Sequence, residues 1–249
     1  MPLQEAEFIE TELFLKYKIE INNIVCGITK KGKYSYSFHT ITTEEEKEDV
    51  KNSRKLLLEK LGFDNLITLK QTHSDTIHSI TSKNIDKYVS NPYITGDGLI
   101  TSLKNVLIGV STADCVPITF ISKNQEVIGI VHAGWRGIKS KIHLKMLSEF
   151  EKLKIPPEDL KIIIGPHNRV CSYEVGNEMK EIFSEKYFHQ NGNKIFLNLE
   201  QIIVDELMSY GLSNIYSLKL CSFCNNDLFY SYRKGENRGR NLSFVGIQA

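Results

Sequence analysis

The chain has 249 residues, 41% of them hydrophobic and 24% charged, and a formal net charge of +1. These values allow an ordinary folded core, and the near-neutral charge excludes binding driven by a strong global field, as nucleic acid or an anionic membrane surface would require. No apolar run approaches the ~20 residues of a membrane-spanning helix. Acids in the opening "MPLQEAEFIETELF" stand where a secretory leader has basic residues, so a cytoplasmic protein is expected.

In chain order, residues 12–38 are rich in Tyr, Ile, Val and Phe and predict early strands, with "KKGK" (30–33) as a hairpin tip. Residues 43–61 predict a helix: Thr43 and Glu46 form a capping box, and Gly62 stops it. A strand is expected over 65–73. The apolar run 106–121 is interrupted at "STADC", and another strand is expected over 126–134. Residues 138–153 read as a helix ended by Pro156 and Pro157, and 160–166 as a buried strand. Helices over 176–188 and 200–210 follow, the second closed by Gly211, with strands over 194–199, 215–220 and 228–233. Strands and helices mix without regular βαβ alternation, which favours mixed α/β layers over a doubly wound sheet. No composition break divides the chain, so residues 1–249 are expected to form a single domain.

Two of the seven histidines, His73 and His132, stand at strand ends, and Cys115 lies between them in the broken apolar run. Imidazole and thiolate are borderline-soft ligands that suit Zn²⁺. Three protein ligands with a fourth position open is the pattern of a catalytic zinc, and strand ends hold such ligands rigid beside accessible loops. Three unrelated core residues would fit the spacing equally well, because His and Cys are often buried without ligating anything. The five cysteines (Cys26, Cys115, Cys171, Cys221 and Cys224) are odd in number and scattered, which suits free thiols or ligands rather than a disulfide set. Cys221 and Cys224 form a C-x-x-C pair with no second pair, and read as two half-buried thiols rather than a zinc site. "TGDG" (95–98) places Asp97 either in a functional turn or in a hairpin corner. Arg233, Arg238 and Arg240 in "SYRKGENRGR" (231–240) belong either to a solvated loop or to an anion site.

Taken in order, "LKQTHSD" (69–75), "GDGLIT" (96–101), "STADCVPITF" (111–120), "VHAGWRG" (131–137), "IGPHNRVCSYEVGNEM" (164–179) and "CSFCNNDLFYSYRKGENRGRNLSF" (221–244) resemble the motifs of the bacterial YfiH-like family. That family was long described as polyphenol oxidase or laccase and is now described as purine nucleoside phosphorylase with adenosine deaminase activity. The resemblance implies an α+β fold, a four-layer α/β/β/α sandwich with mixed sheets. It implies a zinc site of His73, Cys115 and His132, with Cu²⁺ only as an in vitro replacement, since a His/Cys site takes added copper in any case. Ser74 stands where the family has Gly, Gly96 where it has Ala, and Ser53-Arg54 where the first helix carries Asn-Arg.

The activity so implied is zinc-dependent phosphorolysis of adenosine, inosine, guanosine or methylthioadenosine to base and ribose 1-phosphate, with adenosine deamination beside it. The expected partners are small molecules, purine nucleosides and phosphate, with no nucleic acid and no membrane. Arg54, Arg136 and Arg233 are the candidates for holding phosphate or ribose, and Asp97, Asp114 and Glu174 for moving protons. Gly134 and Gly137 would let the backbone turn sharply and approach a ligand, and the helix that follows would favour an anion at its N-terminus. The alternatives are a hydrolase with Cys115 as nucleophile acting on peptidoglycan precursors, a copper-dependent polyphenol oxidase, and a non-catalytic protein with structural zinc. A multicopper site needs many imidazoles, whereas the chain has seven histidines and no His-x-His pair. Structural zinc would take four protein ligands rather than three.

Overall fold

Apolar residues alternate along the central strands and so feed a cluster on each face of each sheet. The computed structural model describes residues 3–32, 35–124 and 126–249; the last residue of the expected hairpin tip lies outside the described residues. A seven-stranded sheet has the order Gln4–Glu5, Ile215–Ser217, Leu160–Ile164, Val116–Ser122, Ile128–Ala133, Gly98–Thr101 and Ile77–Ile80. A six-stranded sheet has the order Phe8–Glu10, Phe14–Tyr17, Ile24–Thr29, Asn241–Ile247, Val106–Thr112 and Asn65–Ile67. Both are mixed. Val116–Ser122 runs antiparallel to both neighbours, whereas Leu160–Ile164 is parallel to Ile215–Ser217. Val106–Thr112 is antiparallel to Asn241–Ile247 and parallel to Asn65–Ile67. The fold is α+β with mixed sheets, as expected.

In the seven-stranded sheet, Ile118, Phe120, Val131, Ile162 and Ile164 pack with Ile142, Met146 and Phe150 of the helix Ile142–Lys152 and Ile202, Ile203 and Leu207 of the helix Leu199–Ser209. The alternate residues Ile121, Ile128, Ile130 and Ile163 meet Leu15, Ile28, Ile108 and Val245 of the six-stranded sheet. The other face of that sheet offers Phe14, Val25, Leu107 and Phe244 to Leu57 and Leu61 of the helix Glu44–Leu61. That helix begins with the expected capping box, Thr43 Oγ1 accepting from Glu46 N at 3.1 Å, and ends at Gly62 with φ +73°.

Three expected elements differ, and one strand has no counterpart among those expected. The helix expected over 138–153 is two helices, Trp135–Lys139 and Ile142–Lys152, divided where Lys141 takes φ +62°. Residues 176–188 form short 3₁₀ turns, Asn177–Glu181 and Glu185–Tyr187, and then enter the strand Phe188–Asn191. Residues 228–233 are not a strand, because side chains take the backbone N–H groups a ladder needs. Tyr230 N donates to Asn241 Oδ1, Ser231 N to a Glu236 carboxylate oxygen, and Arg233 N to Asp114 Oδ2. The central strand Asn241–Ile247, buried throughout, was not expected from the sequence.

Candidate functional site

Between Thr112 and Val116 the chain leaves the six-stranded sheet and joins the seven-stranded one. The interruption at "STADC" is this crossing. Asp114 turns it in the left-handed region at φ +92°, a conformation that costs a non-glycine residue on the order of 1–3 kcal/mol. Its carboxylate is held in compensation: Oδ1 accepts from the Ser222 and Ser231 hydroxyls, both at 2.7 Å, and Oδ2 from Arg233 N at 2.8 Å. Cys115 follows directly.

His132 continues, at the end of its strand, the face that Ile128 and Ile130 turn toward the second sheet. His73 lies in the loop after Asn65–Ile67 at φ +59°. Two anchors set that loop. Gln71 exchanges a pair of 2.7 Å hydrogen bonds with the backbone of Ser111. Asp97, fully buried, accepts from Thr72 N, His73 N, Ser74 N and Ser74 Oγ. Asp97 Oδ1 also takes Nδ1–H of His132 at 2.8 Å, and its carbonyl accepts His132 N at 2.7 Å. One carboxylate therefore positions both histidines and leaves Nε2 of His132 as the ring nitrogen that can face a metal.

The result is a compact donor set. Ligand atoms of His73, Cys115 and His132 lie within 4.8 Å of one another; Cys115 Sγ is 3.8 Å from His73 Nε2, and the imidazole centroids are 4.9 Å apart. Such a set could hold a divalent metal, and its N and S donors fit zinc. Gly134 makes room for it. A Cβ there would stand 2.8 Å from the His73 ring and 3.1 Å from Cys115 Sγ. Its φ of −72° is ordinary, so the requirement is space rather than a special turn. Gly137, within the helix Trp135–Lys139, meets only ordinary contacts and has no comparable constraint. That helix is a single turn, too short for a useful dipole, so the anion expected at its N-terminus has only side chains to hold it.

The electrostatics of the set favour a cation. Burial alone would raise the Asp97 carboxyl, yet the hydrogen bond and charge of His132, with Ser74, hold it at about 2. Burial would likewise raise the Cys115 thiol, but His132 and then His73 bring it to about 6. Burial disfavours the His132 imidazolium, but Cys115 and Asp97 raise it to about 9. The two anions enclose a place for positive charge, filled by a proton on His132 when no metal is bound. Since that proton leaves above about 9 and the Cys115 proton above about 6, metal affinity must rise with pH through this range. Near neutral pH we expect one proton released per zinc bound, seen as a dependence of the calorimetric binding heat on buffer ionisation enthalpy; heats that do not change with buffer would contradict it.

Asp97→Asn should weaken zinc binding roughly 10–100-fold, the usual cost of losing a carboxylate behind a ligating histidine. An amide nitrogen would also face one of the five donors. Competition with a chelator of known affinity measures the change; wild-type affinity in the variant would mean that Asp97 does not orient the ligands.

The donor set opens into a cavity of about 540 Å³, within the range of small-molecule sites. Its walls include His39, Tyr173, Tyr232, Arg136, Arg233 and Arg240. Among the described residues the arginine ion pairs are Arg169–Glu200 and Arg238–Glu46, so the three cavity arginines have no carboxylate partner. Arg136 lies 4.3 Å over the Trp135 ring; Arg233 Nη1 donates to Glu174 O at 2.8 Å, and Arg240 Nη1 to Gly239 O at 2.7 Å. A larger cleft of about 650 Å³, near Glu20 and Lys161, has no such donor set.

The structure therefore brings His73, Cys115, His132, Asp114, Arg136 and Arg233 to one cavity, with Asp97 directly behind it. Arg54 and Glu174 are not among its walls. Arg54 donates to Tyr36 O and Thr68 Oγ1 and stacks 4.4 Å from the Phe38 ring, tying the first helix to the loop beside it. The Glu174 carboxylate pairs with Lys194 at 2.8 Å and faces an adjacent cleft, of about 530 Å³, that Trp135 also lines. Sequence reasoning missed His39 as a wall of the cavity. Burial lowers its pKa, and Nε2 is buried without a partner among the described residues. It also left Arg240 undecided within a charged loop.

A family model described as multi-copper polyphenol oxidoreductase laccase matches residues 26–248, and the chain belongs to that family. It is 35% identical over 237 residues to a purine nucleoside phosphorylase of Clostridium acetobutylicum, covering 87% of this chain and 93% of the relative. It is 30% identical over 214 residues to the adenosine deaminase RL5 of an unknown prokaryotic organism, covering 80% of this chain and 81% of the relative. Among solved structures it resembles the hypothetical protein YfiH of Bacillus licheniformis, with a TM-score of 0.86 and 25% identity over 98% of this chain and 99% of the other. The YfiH-like resemblance carried by the motifs is borne out, and the named relatives are enzymes. No helix among the described residues is long and apolar enough to cross a membrane.

Proposed function

We propose that the protein is a zinc-dependent purine nucleoside phosphorylase that also deaminates adenosine, acting as one unit through His73, Cys115 and His132. The observation that carries this reading is the shared cavity, in which a metal-competent donor set faces three arginines without carboxylate partners. The names of the two relatives support the same pair of reactions. When bound, zinc supplies Lewis acidity and a lowered pKa for water. The guanidinium groups of Arg136, Arg233 and Arg240 hold phosphate for attack on C1′ of the ribose and offset charge in the transition state. Tyr173 and Tyr232 offer faces to the flat base.

Asp97 and Asp114 act by positioning, because their carboxylates are committed to the donors described above. His39 lines the same cavity, and burial lowers its pKa, which makes it the better group to carry a proton. The test is purified, zinc-loaded protein given phosphate with inosine or adenosine. Hypoxanthine or adenine with ribose 1-phosphate, and inosine from adenosine, are the expected products. The absence of all of them would refute the reading.

One observation favours a second reading. Cys115, with its lowered pKa, lies 3.8 Å from His73 Nε2, a pair that could serve a cysteine hydrolase acting on peptidoglycan precursors. Stoichiometric zinc on Cys115 would leave no free thiolate and exclude it. A multicopper oxidase is poorly supported: the two metal-competent donor groups among the described residues hold only two histidines between them.

A further inference from the structure

The C-x-x-C pair does not stand alone in the fold. Cys171, fifty residues earlier in the turn closed by Tyr173 N to Arg169 O at 2.8 Å, is brought against Cys221 and Cys224. The three sulfurs lie within 4.8 Å of one another, and Cys171 Sγ is 3.6 Å from Cys224 Sγ. A tetrahedral zinc with Zn–S bonds of about 2.3 Å needs sulfurs about 3.8 Å apart along each edge, whereas a disulfide needs about 2.05 Å and uses only two of three thiols. The spacing is compatible with a metal ligand set.

The surroundings are also built for it. Ser222 N donates to His167 O at 2.9 Å and Asn225 N to Cys221 O at 2.9 Å, which folds the C-x-x-C loop around its first cysteine. The Ser172 hydroxyl touches Cys221 Sγ at 3.1 Å. Cys221 is buried while Cys171 and Cys224 are exposed, so the set opens to solvent on one side, where an ion can enter and keep a water as its fourth ligand.

We propose that Cys171, Cys221 and Cys224 form a second metal site, for a thiophilic cation such as zinc, separate from the His73–Cys115–His132 set. On binding, any thiol still protonated loses its proton to solvent and three metal–sulfur bonds form, with no oxidant involved. The ion would clip two segments that shape the main cavity. The turn after Arg169 leads into Tyr173, a cavity wall, and the 221–224 loop carries Ser222, whose hydroxyl holds Asp114 beside Cys115.

The test uses the full chain, purified anaerobically with reductant and loaded with Zn²⁺ or with Co²⁺ as a spectroscopic probe. Removing Cys115 isolates the second site, so the outcome does not depend on turnover or on the proposed function. Cys115→Ala should still bind one metal equivalent with a strong thiolate-to-cobalt charge-transfer band. Adding Cys171→Ser or Cys224→Ser, each at an exposed position, should abolish that band and the bound metal, with circular dichroism unchanged. Either serine variant alone should bind one equivalent fewer than wild type. The proposal is overturned if Cys115→Ala binds no metal, if the serine variants retain the full complement, or if peptide mapping of the anaerobic protein shows a Cys171–Cys224 disulfide.

Discussion

Cys115→Ala is expected to abolish both nucleoside reactions and to weaken zinc binding at the His73–His132 set by roughly a hundredfold or more. A complete structural zinc site is worth ~10–16 kcal/mol, so one ligand of it accounts for about 3 kcal/mol, and each ~1.4 kcal/mol is tenfold. The fold should survive. Cys115 is only half-buried and contributes to no apolar cluster, and the crossing it follows is held through Asp114. Metal competition read beside circular dichroism checks both parts. Wild-type zinc affinity in a folded variant would remove Cys115 from the ligand set.

The second large effect is a separation of the two activities by one arginine. Phosphorolysis needs an anion site and deamination does not. A guanidinium that holds only phosphate should therefore be dispensable for one reaction and not for the other. Arg136 and Arg233 line the cavity without carboxylate partners, and neither touches the donor set through a hydrogen bond described above. A charge-assisted hydrogen bond is worth ~1.5–3 kcal/mol, or roughly a tenfold to hundredfold loss in rate. Arg136→Ala or Arg233→Ala should lose that much phosphorolysis, with a raised apparent KM for phosphate, while inosine still forms from adenosine at the wild-type rate in the same sample. The paired assay controls for misfolding, which would lower both. Proportional loss of both activities in every variant would assign these arginines to structure and place phosphate elsewhere.

Both effects depend on residues that local sequence patterns could identify, and the pattern of success has a physical basis. Cys115 and His132 stand where apolar strand runs break or end, which is visible without tertiary information, whereas the strand expected over 65–73 ends at Ile67 and leaves His73 in the loop beyond it. The capping box at Thr43 and Glu46 is equally local, since its hydrogen bonds span three residues. What local patterns do not carry depends on distant partners. The segment 228–233 has strand composition, but its N–H groups are captured by Asn241, Glu236 and Asp114, and Asp114 is more than a hundred residues away. Asp97 sits in a "TGDG" turn that gives no hint of its link to His132 across the sheet. Arg54 and Glu174 fit a site by residue type and motif, but their side chains find partners outside the cavity. Cys171 cannot be joined to the C-x-x-C pair from spacing, because the chain between them forms several strands and the helix Leu199–Ser209.

In the proposed function, one metal centre at His73, Cys115 and His132 serves both reactions. It is tested most directly by stripping the metal from the protein and returning zinc in steps, while ribose 1-phosphate from inosine and inosine from adenosine are measured in parallel. Both activities should be absent from the stripped protein and return in constant ratio, saturating with the zinc that Cys115→Ala fails to bind. Full turnover of either substrate by metal-free protein, or two activities that return at different zinc occupancies, would contradict it.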